Sequence, residues 1–212
     1  MKTYAGLGML LALTLLAGCS RTVLVPVPPK VDLQGYGPVG IVDFASNSEQ
    51  MINARATRQF QEQVQSAQPG TRFIELGDRQ HLLNAFGARQ LDAATLRKIG
   101  AKYGVSAIFI GDIAYSEPRV DVKVSDMAKL EGGVRAEIRG DISARLLETT
   151  SGASVWSTSG WARRQVGAFS LSADRGVSGG MSQANPREEM LPALVREITH
   201  DFRPTFVRQP AH

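Results

Sequence analysis

Cysteine is nearly absent: Cys19 is the only one in 212 residues, so no disulfide can form within the chain. Histidine is scarce as well. His81, His200 and His212 are scattered, and with a single Cys they exclude a Cys/His zinc centre; no metal is expected. No apolar run reaches the roughly 20 residues of a membrane-spanning helix; the apolar run near the start is only residues 5–18. Charge of one sign is not in excess, with 24 Lys+Arg against 20 Asp+Glu, and the basic residues do not cluster with aromatics. Nucleic acid is therefore not an expected partner. There is no Gly-x-x-x-x-Gly-Lys-Ser/Thr loop, and no Gly-x-Gly-x-x-Gly follows the first apolar strand. Without those loops or a nucleophile–base pair, neither a cofactor nor an enzyme activity is expected. What remains, 43% hydrophobic and 21% charged, is the composition of a folded chain of one domain.

The start of the chain carries its clearest message. Lys2 is the only charge before Arg21, and residues 5–18 are a short apolar run, which together read as a secretory signal peptide over residues 1–18. The run ends in Leu16-Ala17-Gly18-Cys19, which resembles the bacterial lipobox. That resemblance implies cleavage before Cys19 and palmitate-type lipid on its sulfur and amine, a membrane anchor. Two or more acyl chains hold a protein stably, at about 0.8 kcal/mol per buried CH₂. Ser20, rather than Asp, follows the Cys, which implies the outer membrane, with the protein on its periplasmic face. Residues 19–37 contain Pro26, Pro28 and Pro29 and read as an extended tether, part of which can dock on the domain. The periplasmic domain is then residues 38–208.

Within it, Val39–Phe44 and Val105–Ile110 are short apolar runs of the kind found in strands covered on both faces, and Thr71–Leu76 reads as a further strand. Between them lie helical patterns. Ile52, Ala56, Phe60 and Val64 share one face behind a capping box of Asn47 and Gln50, and Asp78 and Asp92 are N-caps for two further helices. This alternation predicts an α/β fold: a mostly parallel sheet flanked by helices, extended by a long antiparallel hairpin. The hairpin is legible from Val134, Ala136, Ile138, Gly140, Ile142 and Ala144 alternating with polar residues, the turn at Gly152, and a return strand through Trp156 and Trp161. Residues 167–185 are rich in Gly and Ser and read as a long loop; Pro186 opens a last helix that Pro204 closes.

Two carboxylates stand where clefts of α/β folds often bind ligands. Asp43 and Asp112 end predicted parallel strands, so a small-ligand or enzyme site is one alternative reading, against capping of nearby turns. Trp156 and Trp161 lie five apart on one strand and should face opposite sides, one in the core and one free for a partner.

Ile99–Ile113, and Ile142–Ser157 with its Thr149-Thr150-Ser151-Gly152 turn and Trp156-Ser157 return, resemble the curli secretion lipoprotein family. They are similar too to the lipoprotein activators of penicillin-binding proteins and the N-terminal domain of the Tol-Pal β-propeller protein. Over residues 38–207 the resemblance implies an α/β sandwich in the periplasm that binds other proteins of the cell envelope. The curli exporters add two hairpins per subunit that build a membrane barrel. The counterparts here, residues 114–133 and 165–185, offer only the short apolar face of Val120, Val122 and Val124. A homo-oligomeric secretion channel is thus the alternative to a non-catalytic interaction module. The expected partner surface is Phe169, Leu171, Val177 and Met181 of the 167–185 loop, extended by Trp161 and Arg163.

Overall fold

The computed structural model describes residues 22–126, 131–172, 176–181 and 185–210, without the side chains of 124–126, 131–132, 171–172 and 181. The signal peptide, the lipobox and Cys19 lie outside the described residues. Two units are present. The smaller is a ribbon in which β1 (Thr22–Val27) pairs antiparallel with β10 (Thr205–Pro210), Val27 opposite Thr205 and Thr22 opposite Pro210. Residues 22–27 are thus a strand rather than free polyproline chain, because the C-terminal segment offers them a ladder.

Lys30–Arg203 forms the larger unit. Its strands are β2 (Pro38–Val42), β3 (Ala45–Ser46), β4 (Arg72–Gly77), β5 (Ala107–Tyr115), β6 (Arg119–Asp126), β7 (Glu131–Glu148), β8 (Ser154–Ser172) and β9 (Gly176–Met181). The sheet order is β4-β2-β5-β7-β8-β9, with β3 on β5 and β6 on β7. Only the β2–β4, β2–β5 and β3–β5 pairs are parallel; β5–β7, β6–β7, β7–β8 and β8–β9 are antiparallel. The expected mostly parallel sheet is therefore corrected to a mostly antiparallel one. The physical reason is connectivity. Parallel neighbours need crossover helices, and the chain supplies these only before β5; after it, as far as β9, successive strands are joined by at most about five residues, too few for a crossover.

The helices are α1 (Gln50–Ala67), α2 (Arg79–Ala85), α3 (Ala93–Tyr103) and α4 (Pro186–Thr199). Asp78 and Asp92 cap α2 and α3, accepting from His81 and Thr95 N–H, and Gly104 ends α3 in the left-handed region at φ 66°. The capping box expected for α1 does not form: Glu49 holds the N-cap without a side-chain bond. Asn47 is engaged elsewhere, donating to the Tyr115 carbonyl at 2.9 Å and accepting its N–H at 2.8 Å, which ties the loop to the end of β5.

α1 and α4 lie on one sheet face. Phe60 of α1 and Leu194 and Ile198 of α4 pack with Ile41, Phe109, Ile142 and Leu146. Phe109 is the hub, with ring centroids 5.1 Å from Phe60, 5.9 Å from Trp156 and 5.7 Å from Phe202. α4 approaches closely because Gly160 and Gly140 lie beneath it; a Cβ on Gly160 would stand 2.5 Å from that of Glu197. On the opposite face, Leu82, Leu96 and Ile99 of α2 and α3 cover Val42, Ile108 and Ile110. This second layer reaches Leu147 of β7 and no described residue of β8. The tether does dock in part: Leu33 is buried, its N–H donating to Gln68 Oε1 at 2.8 Å.

Candidate functional site

The expected loop at 167–185 is instead largely strand. Residues 167–172 complete β8, and Gly176–Met181 form β9 on its edge, Gly179 opposite Phe169 and Val177 opposite Leu171. Sequence alternation could not reveal β9, because its order comes from backbone pairing and not from apolar side chains. Gly179 shows why so small a residue stands there: its φ is 129°, and an added Cβ would run into the Ala168 carbonyl.

β6, the first part of β7, the last part of β8, and β9 together make a four-stranded antiparallel sheet. Register sorts its residues. Val120 lies opposite Ala136, Val122 opposite Val134, and Val134 opposite Phe169, so these share a face that also takes Val177 by register; Leu171 pairs with Val177, and Met181 with Gly167. The other face places Arg119 opposite Glu137 and Asp121 opposite Arg135, two pairs of opposite charge. The apolar face continues, along β7, the one that α4 covers over Ile138 and Ile142. At the start of α4, buried Tyr115 donates its O–H to the Arg187 carbonyl at 3.2 Å, and burial pushes that phenol up to about 12. Beyond this point the face is bare: Val120 is 64% exposed, Val122 63%, Phe169 41% and Val177 72%.

The six residues expected to form one surface lie on two. An extra residue in β8, Val166, falls between Gln165 opposite Glu137 and Gly167 opposite Ala136, and it shifts the alternation of β8 by one. Phe169 and Val177 are on the apolar face, with Leu171 and Met181 at matching register positions. Trp161 and Arg163 are on the opposite, uncovered back of β8. There the half-exposed Trp161 ring stacks with the Arg139 and Arg163 guanidiniums, 5.0 and 5.1 Å from its centroid, and Arg139 grips both oxygens of Asp141. Hydrogen bonding to Asp141 also holds the Arg139 pKa above its ordinary value. Trp156 faces the core, as its odd spacing from Trp161 requires, and donates Nε1–H to Asp201 Oδ2 at 3.2 Å.

Asp201 is a site the sequence concealed. Its carboxylate also meets Lys30 Nζ at 2.8 Å and His200 Nε2 at 3.0 Å. Burial alone would raise its pKa, but Lys30, Trp156 and His200 together hold it below the usual carboxylate range. It fastens the entry of the chain at Lys30 to the C-terminal end of α4, whereas the bare apolar face lies past that helix's N-terminal end.

Asp43 and Asp112 have separate engagements. Asp112 lies on the exposed back of β5, bound to Arg79 Nη1 at 2.9 Å, and lines a groove of about 330 Å³ beside Trp161. Asp43 is half-buried; burial first, then Asp78 and Glu75, raise its pKa against a hydrogen bond from Thr57. Among the cavities described, Asp43 lines none. Among the described residues no group of three His, Cys, Asp or Glu is placed to hold a metal ion.

No family model and no curated protein matches the chain. Among solved structures it overlaps the PelC dodecamer from Paraburkholderia phytofirmans, at 14% identity and TM-score 0.40, over 86% of this chain and 98% of that one. The LpoB C-terminal domain from Salmonella enterica aligns at 12% identity and TM-score 0.36, over 60% and 83%. Lipoprotein GNA1162 from Neisseria meningitidis aligns at 14% and 0.34, over 76% and 97%. Likeness at this level leaves the function to be argued from the chain's own residues.

Proposed function

We propose that this chain is a lipid-anchored protein of the bacterial outer membrane that faces the periplasm and works by binding another envelope protein, not by catalysis. The lipobox at Leu16–Cys19 supports the anchor, and Cys19 is the lipidated residue. The observation that carries the binding role is the bare apolar face of Val120, Val122, Phe169 and Val177. Contiguous exposed apolar surface of this kind is costly in water and marks a surface that something else covers. The face also lies past the end of α4 remote from Lys30, where the anchored segment enters the larger unit.

Two measurements test this. Mass spectrometry of the mature N-terminus should find a lipid-modified Cys19, and Cys19→Ser should release the protein from membranes or leave it unprocessed; an unmodified Cys19 would end the anchoring claim. Crosslinking in intact cells, followed by co-purification, should capture an envelope protein through residues 120, 122, 169 or 177.

One observation favours a second reading, a channel subunit. β6 to β9 form an amphipathic antiparallel sheet, apolar on one face and charged on the other, which is the pattern of a membrane β-barrel wall. β6 has 8 residues, however, where a spanning strand takes about 9–11. No described helix is long and apolar enough to cross a membrane, which leaves strands as the means. Extraction as a ring-shaped multimer that conducts ions in planar bilayers would establish this reading, and a monomer without conductance would remove it.

A further inference from the structure

We infer that the larger unit carries a binding site for a small oxyanion, a phosphate- or carboxylate-bearing ligand, at the step where the α2–α3 layer stops over β7. The site is a cavity of about 540 Å³, within the range of small-ligand pockets. Three segments far apart in the chain each deliver an arginine to it. Arg79 is the first residue of α2, Arg89 belongs to the α2–α3 connection, and Arg145 stands on β7 directly opposite Ile110 of β5. Ile110 and Leu147 form an apolar floor, both buried by the layer above and the sheet below.

The charge balance selects an anion. Three arginines line the cavity and one acidic residue, Asp92, lines it with them. Asp92 is already occupied: it accepts the Thr95 N–H as the cap of α3, and those hydrogen bonds hold its carboxyl below the usual range. Asp112, outside the cavity, matches the charge of Arg79. Among the described ion pairs none involves Arg89 or Arg145. Arg79 is fixed in place by Asp112 at 2.9 Å and the Gly111 carbonyl at 3.0 Å, while its Nε is buried without a protein acceptor. A preset guanidinium beside two uncommitted ones is the arrangement that holds phosphate or carboxylate through paired N–H···O bonds. A cation would meet net repulsion there. The apolar floor favours an anion carried on a compact body with some apolar surface over a bare, fully hydrated ion. This site is independent of the hairpin face and of the anchor.

Isothermal titration of the full chain in detergent, with inorganic phosphate and with citrate at constant ionic strength, tests it. At least one anion should bind saturably at millimolar concentration or below. Arg89→Ala/Arg145→Ala should weaken that binding by tenfold or more. Arg119→Ala/Arg163→Ala removes the same charge from the same side of the sheet outside the cavity and should change it by less than twofold. Circular dichroism melts confirm that both variants fold, and Arg145→Lys, which keeps charge but loses the fork, should fall between wild type and the double variant. No saturable binding of either anion, equal binding by all variants, or equal loss in both double variants would each overturn the site.

Discussion

The two ends of the same sheet are built on different terms. Where β2, β4 and β5 run parallel, helices cover both faces, and β2 and the first half of β5 are apolar at nearly every position: Val39, Ile41, Val42, Ile108, Phe109 and Ile110 are all buried. Where β6 to β9 run antiparallel past the start of α4, one face is charged and the other, although apolar, is bare. The first end spends its apolar residues on folding. The second carries residues of similar chemistry that folding of this chain leaves unburied. That difference is the ground for the proposed partner surface: apolar residues that contribute little to the stability of the isolated protein are the ones a partner would cover.

Substitutions should separate the two ends by size of effect. Phe109→Ala, in the aromatic hub, is expected to destabilise the larger unit by about 3–5 kcal/mol in urea unfolding, because it deletes a fully buried ring from a packed cluster. Asp201→Ala comes next, at about 1–3 kcal/mol, since it leaves the Trp156 N–H without its acceptor. This residue also predicts a pH dependence. Its folded pKa is depressed, so its contribution is present above the ordinary carboxylate range, near 4, and is lost as pH falls through the lower folded value. Wild type should therefore lose more stability than Asp201→Asn between about pH 5 and pH 3. Phe169→Ser and Val177→Ser should each change stability by no more than about 0.5 kcal/mol, as exposed positions do, and yet should weaken partner capture. If Val177→Ser instead unfolds the protein, the two ends do not differ as claimed. Smallest of all, Arg163→Ala removes one of two cations stacked on Trp161 and should leave stability within measurement error while increasing Trp161 fluorescence sensitivity to quenchers.

The sequence was most legible where local chemistry and burial agree. Asp78, Asp92 and Gly152 announced caps and a turn that form as expected, and the run from Val134 to Ala144 announced a strand. It misled where a tertiary partner decides. Asn47 has the chemistry of a cap but is claimed by Tyr115, and Gly176–Met181 reads as loop but is ordered by β8. The parallel character of the first three strands was extended too far, because hairpin turns carry less sequence signal than crossover helices. For the candidate surface, residues 169 and 177 were picked from apolar character alone, and Trp161 and Arg163 were joined to them. One extra residue, Val166, puts those two on the other side, and no pattern in the sequence distinguishes a bulge from a regular strand. Arg79, Arg89 and Arg145 were invisible as a group because they lie up to 66 positions apart and meet only through the fold.

The central claim is that the apolar face of the hairpins is covered in the envelope while the charged face opposite stays in water. Photo-crosslinking side chains placed singly at residues 120, 122 and 177, and at 121, 123 and 178 as neighbours on the opposite face, test it in intact cells. Discrete protein adducts from the first set, with few or none from the second, are the predicted result. Adducts from neither set, or equally from both, would contradict it.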